Sequence, residues 1–235
     1  MLIDLQTLLS KGDIRLSNSI KTSSLFDCKV SYLEKLFQNS QYPWEMLPEI
    51  KNHIKELLKD GIEGFTEIAE GVLVGKNVKI HPSAVIEAPA IIGDDTEIRP
   101  SAFLRGNVIT GRGCVIGNSS EIKNAILLDS VQVPHYNYVG DSVLGNKAHM
   151  GAGSICSNLK SDKKEIVIHA DTPIQTGLRK IGGILADGAD VGCGSVINPG
   201  TVIGKNSRIY PLTAVRGVIP ENVIVKSMEN IVNIK

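Results

Sequence analysis

The chain has 235 residues, and its 25 Lys plus Arg balance its 25 Asp plus Glu, so the formal net charge is +0. That balance gives no electrostatic footprint for nucleic acid or for an anionic membrane surface. No apolar run approaches the ~20 residues a membrane span needs, the first residues do not form a signal peptide, and the cysteines (Cys28, Cys114, Cys156, Cys193) lack metal or disulfide spacing, which suits free thiols in a reducing cytoplasm.

Residues 1–65 have a helical texture. Leu2, Leu5, Leu8 and Leu9 predict a short helix, and Tyr32, Leu33, Leu36 and Phe37 a second, stopped before Tyr42-Pro43-Trp44. Ile50, Ile54, Leu57 and Leu58 share one face of a third, which ends at Gly61. Trp44 reads as a packing anchor. The whole segment is expected to cap the open end of the structure that follows, because a bare first layer would expose unpaired backbone and apolar side chains.

From residue 66 to 226 the chain keeps a six-residue beat. Val74, Ile80, Ile86, Ile92, Ile98 and Leu104 fall six apart, and Ile116, Ile122 and Leu128 keep the count with Thr110 in the gap. Leu144, Met150 and Cys156, then Leu185, Val191, Ile197, Ile203, Ile209 and Val215 resume it. Gly often follows the aliphatic, and the residue four beyond is usually small or β-branched, such as Ala102, Ser120, Ser154 and Ser195. Repeats this short cannot bury an apolar face alone, so they must stack. An accidental beat on a β-sandwich is the poorer reading. Two breaks, at 129–143 and 158–183, are expected to be loops that carry function or meet a neighbour. Val223 begins a final strand, and 227–235 reads as a tail.

Two cations stand where the corner residue is usually small. Arg105 and Lys123 are eighteen apart, and if three hexads close one coil, ladder pairing brings such residues to about 4.8 Å. Two cations that close repel unless an anion lies between them, which suits a phosphate. Carboxylates of a neighbouring chain are the alternative, and Glu121 is near enough in sequence to screen Lys123. Arg99 and Arg216 hold the same corner position and read as solvated. His135, two hexads past Lys123, supplies an imidazole that can take a proton from an attacking amine. An ordinary loop histidine is the plain alternative; Tyr138, Asp141 and the basic pair one coil away weigh against it. His81, His135, His149 and His169 share neither the stacking interval nor a close pair, so no metal site is expected.

These hexads resemble the hexapeptide-repeat acyltransferases, a resemblance that implies an all-β solenoid, the left-handed parallel β-helix, with a small N-terminal helical segment. The run from Arg105 through Ile116-Gly117-Asn118-Ser119-Ser120-Glu121-Ile122-Lys123, His135-Tyr136-Asn137-Tyr138-Val139-Gly140-Asp141 and Gly151-Ala152-Gly153 is similar to the acetyltransferase domain of bacterial bifunctional UDP-N-acetylglucosamine-synthesising enzymes. The stretches Asn158-Leu159-Lys160-Ser161-Asp162-Lys163-Lys164 and Thr176 to Gly183 are closer to archaeal bifunctional sugar-1-phosphate nucleotidylyltransferase/acetyltransferases.

The resemblance implies a homotrimer that binds an amino-sugar phosphate and acetyl-CoA in grooves between prisms. Arg105 and Lys123 would hold the sugar phosphate, and His135 would be the general base for the 2-amino group, oriented by Glu121. Tyr138 and Asn158 would contact the sugar or the cofactor arm, and Lys163 or Lys164 would reach over a neighbour's site. The backbone at Ala152 and Gly153 would hold the thioester, with the pantetheine arm running past Cys193 and Pro211. His149 and Leu159 depart from the bacterial pattern, and His149 is a candidate sugar contact. No Gly-rich, Arg-containing nucleotide loop appears in residues 1–65, so no nucleotidyltransferase activity is expected. The expected activity is N-acetyl transfer to a glucosamine-1-phosphate-like acceptor. The alternative from another class is a non-catalytic trimeric platform that binds sugar phosphates or nucleotide sugars.

Overall fold

The computed structural model describes residues 19–234; the helix expected around Leu2 to Leu9 lies outside them. From Val72 onward the chain winds as an all-β solenoid whose strands pair in parallel with the coil before and the coil after. Three rows of side chains point inward. One row runs Val74, Ile92, Thr110, Leu127, Leu144, Leu185, Ile203 and Ile219. A second runs Ile80, Ile98, Ile116, Val133, Met150, Val191, Ile209 and Val225. The third runs Ile86, Leu104, Ile122, Val139, Cys156, Ile197 and Val215. Together they fill one continuous core. The small corner residues have a polar task as well: Ser120 Oγ donates to the Val133 carbonyl at 3.0 Å, and Ser195 Oγ to that of Tyr210 at 3.0 Å. A corner carbonyl that the ladder leaves free is thereby satisfied.

The count is kept at two corners and relaxed at the third, between the third row and the first. The step from Ile122 to Leu127 and from Val139 to Leu144 is five in place of six, and the whole 158–183 excursion leaves from Cys156 and returns at Leu185. Leu127 therefore points inward, not Leu128, which is buried outside the prism. An aliphatic at both positions lets the six-residue beat run on in sequence past the point where the backbone has shortened a turn.

The described part of the N-terminal segment, residues 19–65, packs on the side of the solenoid and not across its end. Its pieces are α1 (Thr22–Leu25), α2 (Glu34–Gln38) and α3 (Ile50–Asp60), with short 3₁₀ turns at Ser31–Leu33 and Pro43–Met46. They lie along one side of the solenoid, where outward residues Leu73, Ile91, Ile109, Ile126, Val143 and Ile184 join Leu33, Trp44, Ile50 and Ile54 in a second apolar cluster. Tyr32 Oη donates to the Thr110 carbonyl at 2.7 Å, and Asn146 Nδ2 to that of Asp27 at 2.9 Å, so the contact spans several coils. The physical reason is burial: the aliphatics on the outside of the sheet are apolar surface that the helices remove from water. Trp44 is 2% exposed and stacks on Tyr42 at 4.7 Å.

The insertion 158–183 also packs sideways. Val167–His169 and Pro173–Gln175 form an antiparallel hairpin, and Ile166, Ile168 and Ile181 join the outer cluster beside Val202 and Val218. The expected C-terminal tail is instead a strand: Asn230–Asn233 folds back on Val223–Ser227 and puts Ile231 opposite Val225, 1% exposed. Apolar Ile231 is the reason, since it completes the core at that end.

Candidate active site

The corner between the second and third rows holds most of the chemistry. Successive coils are tied there by backbone hydrogen bonds: Tyr136 N–H to Asn118, Gly153 N–H to His135, Gly194 N–H to Ala152, and Leu212 N–H to Cys193, at 2.8 to 3.0 Å. His135, Ala152 with Gly153, Cys193 and Pro211 thus stand one above another on a single edge, all of them exposed. Tyr136, Gly153, Gly194 and Leu212 occupy the left-handed backbone region that turns this edge. Gly117 permits the close approach beside it, because an added Cβ would lie 1.6 Å from the Pro134 carbonyl oxygen. Asn137, 3% exposed and not singled out in the sequence, sets the turn at His135: its Oδ1 accepts from the His135 N–H at 3.0 Å and its Nδ2 donates to the Gly151 carbonyl at 2.8 Å. The signal for it was an Asn where the repeat places a small residue.

The face beyond that corner carries the charged groups. Phe103, Glu121 and Tyr138 pair along one flank of the third row. On the other flank Glu87 pairs Arg105 and Lys123 pairs Gly140, and one step past the Leu104–Ile122 pair Arg105 adjoins Lys123. The eighteen-residue interval thus brings the two cations to one edge. Glu121 has a different partner from the expected one. Its Oε1 accepts from Arg105 Nη1 at 2.6 Å, a contact that raises the guanidinium pKa, rather than serving the His135 ring. The cause is reach: Glu121 and Arg105 lie diagonally on adjacent coils of one face. Lys123 has no ion pair among the described residues.

Tyr138 is half-buried, and its phenol pKa is pushed up by burial first, then by the negative charges of Glu121 and Asp141. Asn158 Nδ2 donates to Tyr138 Oη at 3.3 Å and to an Asp141 carboxylate oxygen. Gly140 allows this crowding, since a Cβ there would sit 2.5 Å from Tyr138 Oη. His149 is not brought to this face. It lies on the outside of the second row, where its Nδ1 is 2.8 Å from Asp190. Lys163 and Lys164 are exposed at the tip of the insertion, in a turn closed by the Lys163 N–H to the Lys160 carbonyl. Among the described residues no group of His, Cys, Asp or Glu could hold a metal, and no helix is long and apolar enough to cross a membrane.

A fold of stacked hexads with this edge defines a class, and comparison with known proteins gives the same one. The family model described as "GMPPB C-terminal domain" matches residues 86–178. The putative uncharacterized acetyltransferase YaiX of Escherichia coli K12 is 35% identical over 181 residues, 73% of this chain and 78% of that one. The bifunctional protein GlmU of Methanococcus maripaludis (strain S2) is 32% identical over 204 residues, 85% of this chain and 49% of that one. Among solved structures, the D94A mutant of AntD, an N-acyltransferase from Bacillus cereus in complex with dTDP and coenzyme A, is 19% identical, with a TM-score of 0.37, over 69% of this chain and 86% of that one. The chain belongs to the hexapeptide-repeat acyltransferase family. It spans about half the length of the bifunctional relatives that it matches.

Proposed function

We propose that the protein is a CoA-dependent N-acetyltransferase whose acceptor is an amino-sugar phosphate of the glucosamine-1-phosphate kind. One observation carries the reading: His135, the backbone at Ala152 and Gly153, Cys193 and Pro211 stack on one edge, beside a face that presents Arg105 and Lys123. In this reading the acceptor phosphate lies against the two cations, and Tyr138 and Asn158 meet the sugar. The neutral 2-amino nitrogen attacks the thioester carbonyl carbon, and His135 accepts the proton the nitrogen sheds. The backbone N–H groups near Ala152 and Gly153 stabilise the oxyanion as the tetrahedral intermediate forms. Collapse expels the CoA thiolate, which takes that proton from His135 and leaves as the thiol, with no covalent enzyme intermediate. The active form is a cytoplasmic homotrimer, with Lys163 or Lys164 extending to a neighbour's groove. Relatives named as acetyltransferases support the reading.

The test is acetyl transfer to glucosamine-1-phosphate, followed as free thiol, in wild type and in His135→Ala. A positioned general base contributes about 100-fold or more, so the variant should lose that much in kcat at unchanged KM for acetyl-CoA. Equal rates would remove His135 from the mechanism. A thermal-shift screen separates the non-catalytic alternative, because a ligand at 100 times its Kd stabilises by about 2.7 kcal/mol. Stabilisation by sugar phosphates, with none by any acyl-CoA, would favour the platform.

A further inference from the structure

Three parts of the chain meet at one carboxylate. Asn124, Asp141 and Asn158 form a ladder at the third corner: Asn124 and Asp141 stand one step past the Lys123–Gly140 pair, and Asp141 and Asn158 two steps past the Val139–Cys156 pair. Asp141 is 7% exposed, and its two oxygens take different partners: Asn124 Nδ2 donates to Oδ1 at 2.9 Å, and Asn158 Nδ2 donates to Oδ2. Asn124 Nδ2 also lies 3.3 Å from the Leu47 carbonyl, which belongs to the N-terminal segment. The insertion closes at the same point. The Gly182 N–H donates to the Asp141 carbonyl at 2.7 Å, and the Ile181 N–H to that of Asn158 at 3.1 Å. Asn124 and Asp141 both adopt left-handed backbone, at φ 47° and 46°, a conformation that Asn and Asp tolerate better than other side chains.

We infer that Asp141 is a positioning residue for the acceptor site, holding Asn158 and through it Tyr138 in one donor and acceptor polarity. The inference rests on the proposed function. A carboxylate only accepts, so it obliges the Asn158 amide to turn its Nδ2 inward. That same Nδ2 donates to Tyr138 Oη at 3.3 Å. The phenol hydrogen is then free to donate outward, and Asn158 Oδ1 is free to accept. An acceptor sugar thus meets one fixed donor and one fixed acceptor, both set by a side chain that touches neither the sugar nor CoA. A neutral amide at 141 would remove the constraint, because one of the two neighbouring Nδ2 groups would face another N–H.

Asp141→Asn is nearly isosteric and tests this. Leaving one buried donor unmatched should raise the acceptor KM about tenfold, while the KM for acetyl-CoA stays within about twofold. Asn124→Asp added to Asp141→Asn makes the 124–141–158 pairing complementary again, since the new amide donates to residue 124 and accepts from Asn158; the loss falls instead on the Leu47 carbonyl, which is not part of the acceptor site. The double variant should recover to within about threefold of wild type, and it serves where the single variant does not fold. An unchanged acceptor KM in a folded Asp141→Asn, or a folded double variant that remains impaired, would overturn the inference. If wild type transfers acetyl to no amino-sugar phosphate, it is the function that falls. The positioning is then read by NMR of nitrogen-labelled protein: Asp141→Asn should shift the Asn158 side-chain amide, and an unshifted Asn158 amide would overturn the positioning claim as well.

Discussion

Four thiols on one chain give a local reading of the candidate cofactor edge. Burial pushes the Cys114 and Cys156 thiols up to about 12 and that of Cys28 up to about 11, so at pH 8 all three are protonated. Cys193 is exposed on the edge shared with His135 and Ala152. Iodoacetamide at pH 8 should therefore modify Cys193 first, with Cys114 and Cys156 reacting only on unfolding. Acetyl-CoA should slow the Cys193 reaction, and peptide mass mapping with and without it reads both effects. Labelling of Cys193 at an unchanged rate under saturating acetyl-CoA would move the pantetheine arm to another edge. The same scale marks how far the sequence could be read. The eighteen-residue interval was enough to bring Arg105 beside Lys123, because ladder pairing depends on backbone register alone. The Arg105–Glu121 contact is diagonal and depends on side-chain reach, which no interval encodes. The Asn124, Asp141 and Asn158 ladder was hidden for another reason: its steps are seventeen residues, a count that exists only once the third corner has been shortened.

A corner is an element with its own tolerance, and the one below His135 has almost none. The Gly117 Cα faces the Pro134 carbonyl, so a methyl there would need the backbone of the next coil to move, not a flexible side chain. Gly117→Ala should cost more than ~2 kcal/mol in urea unfolding, and the residual folded protein should show a displaced His135 through loss of transfer activity. Gly153→Ala makes the contrasting case within the same edge. It meets no atom within 4 Å, and its cost is that of its φ of +69° alone, about 1–2 kcal/mol. Equal stability of Gly117→Ala and wild type would mean that the coils are spaced more loosely than the ladder bonds indicate. At this scale the hexad rule gave the strands and two of the three corners. It failed at the third, where adjacent aliphatics such as Leu127 and Leu128 satisfy either count.

For the molecule as a whole, the N-terminal segment decides how much apolar surface the solenoid leaves uncovered. One position before each member of the first inward row stands another aliphatic, Leu73, Ile91, Ile109, Ile126, Val143, Ile184, Val202 and Val218, and these point out of the prism. That doubled row was present in the sequence and marks a sheet face apolar on both sides, which requires a covering layer. The helical pattern was read as a cap for the open end, whereas the doubled row draws the described helices to the side of the solenoid. The distinction is measurable. Deleting residues 1–65 from an end-capped solenoid would fray one coil, whereas here it should bare a stripe along several coils and promote association. Light scattering and dye binding to exposed apolar surface should both rise sharply in the truncated chain. Replacing Ile91, Ile109 and Ile126 with Thr in that truncation should restore a dispersed protein, since β-branched polar residues suit an exposed strand face. A truncated chain that stays dispersed without those replacements would mean that the stripe is covered by something other than the helices. The consequence reaches the site, because Leu47 on the covering segment meets Asn124, the first member of the ladder that ends at Asn158.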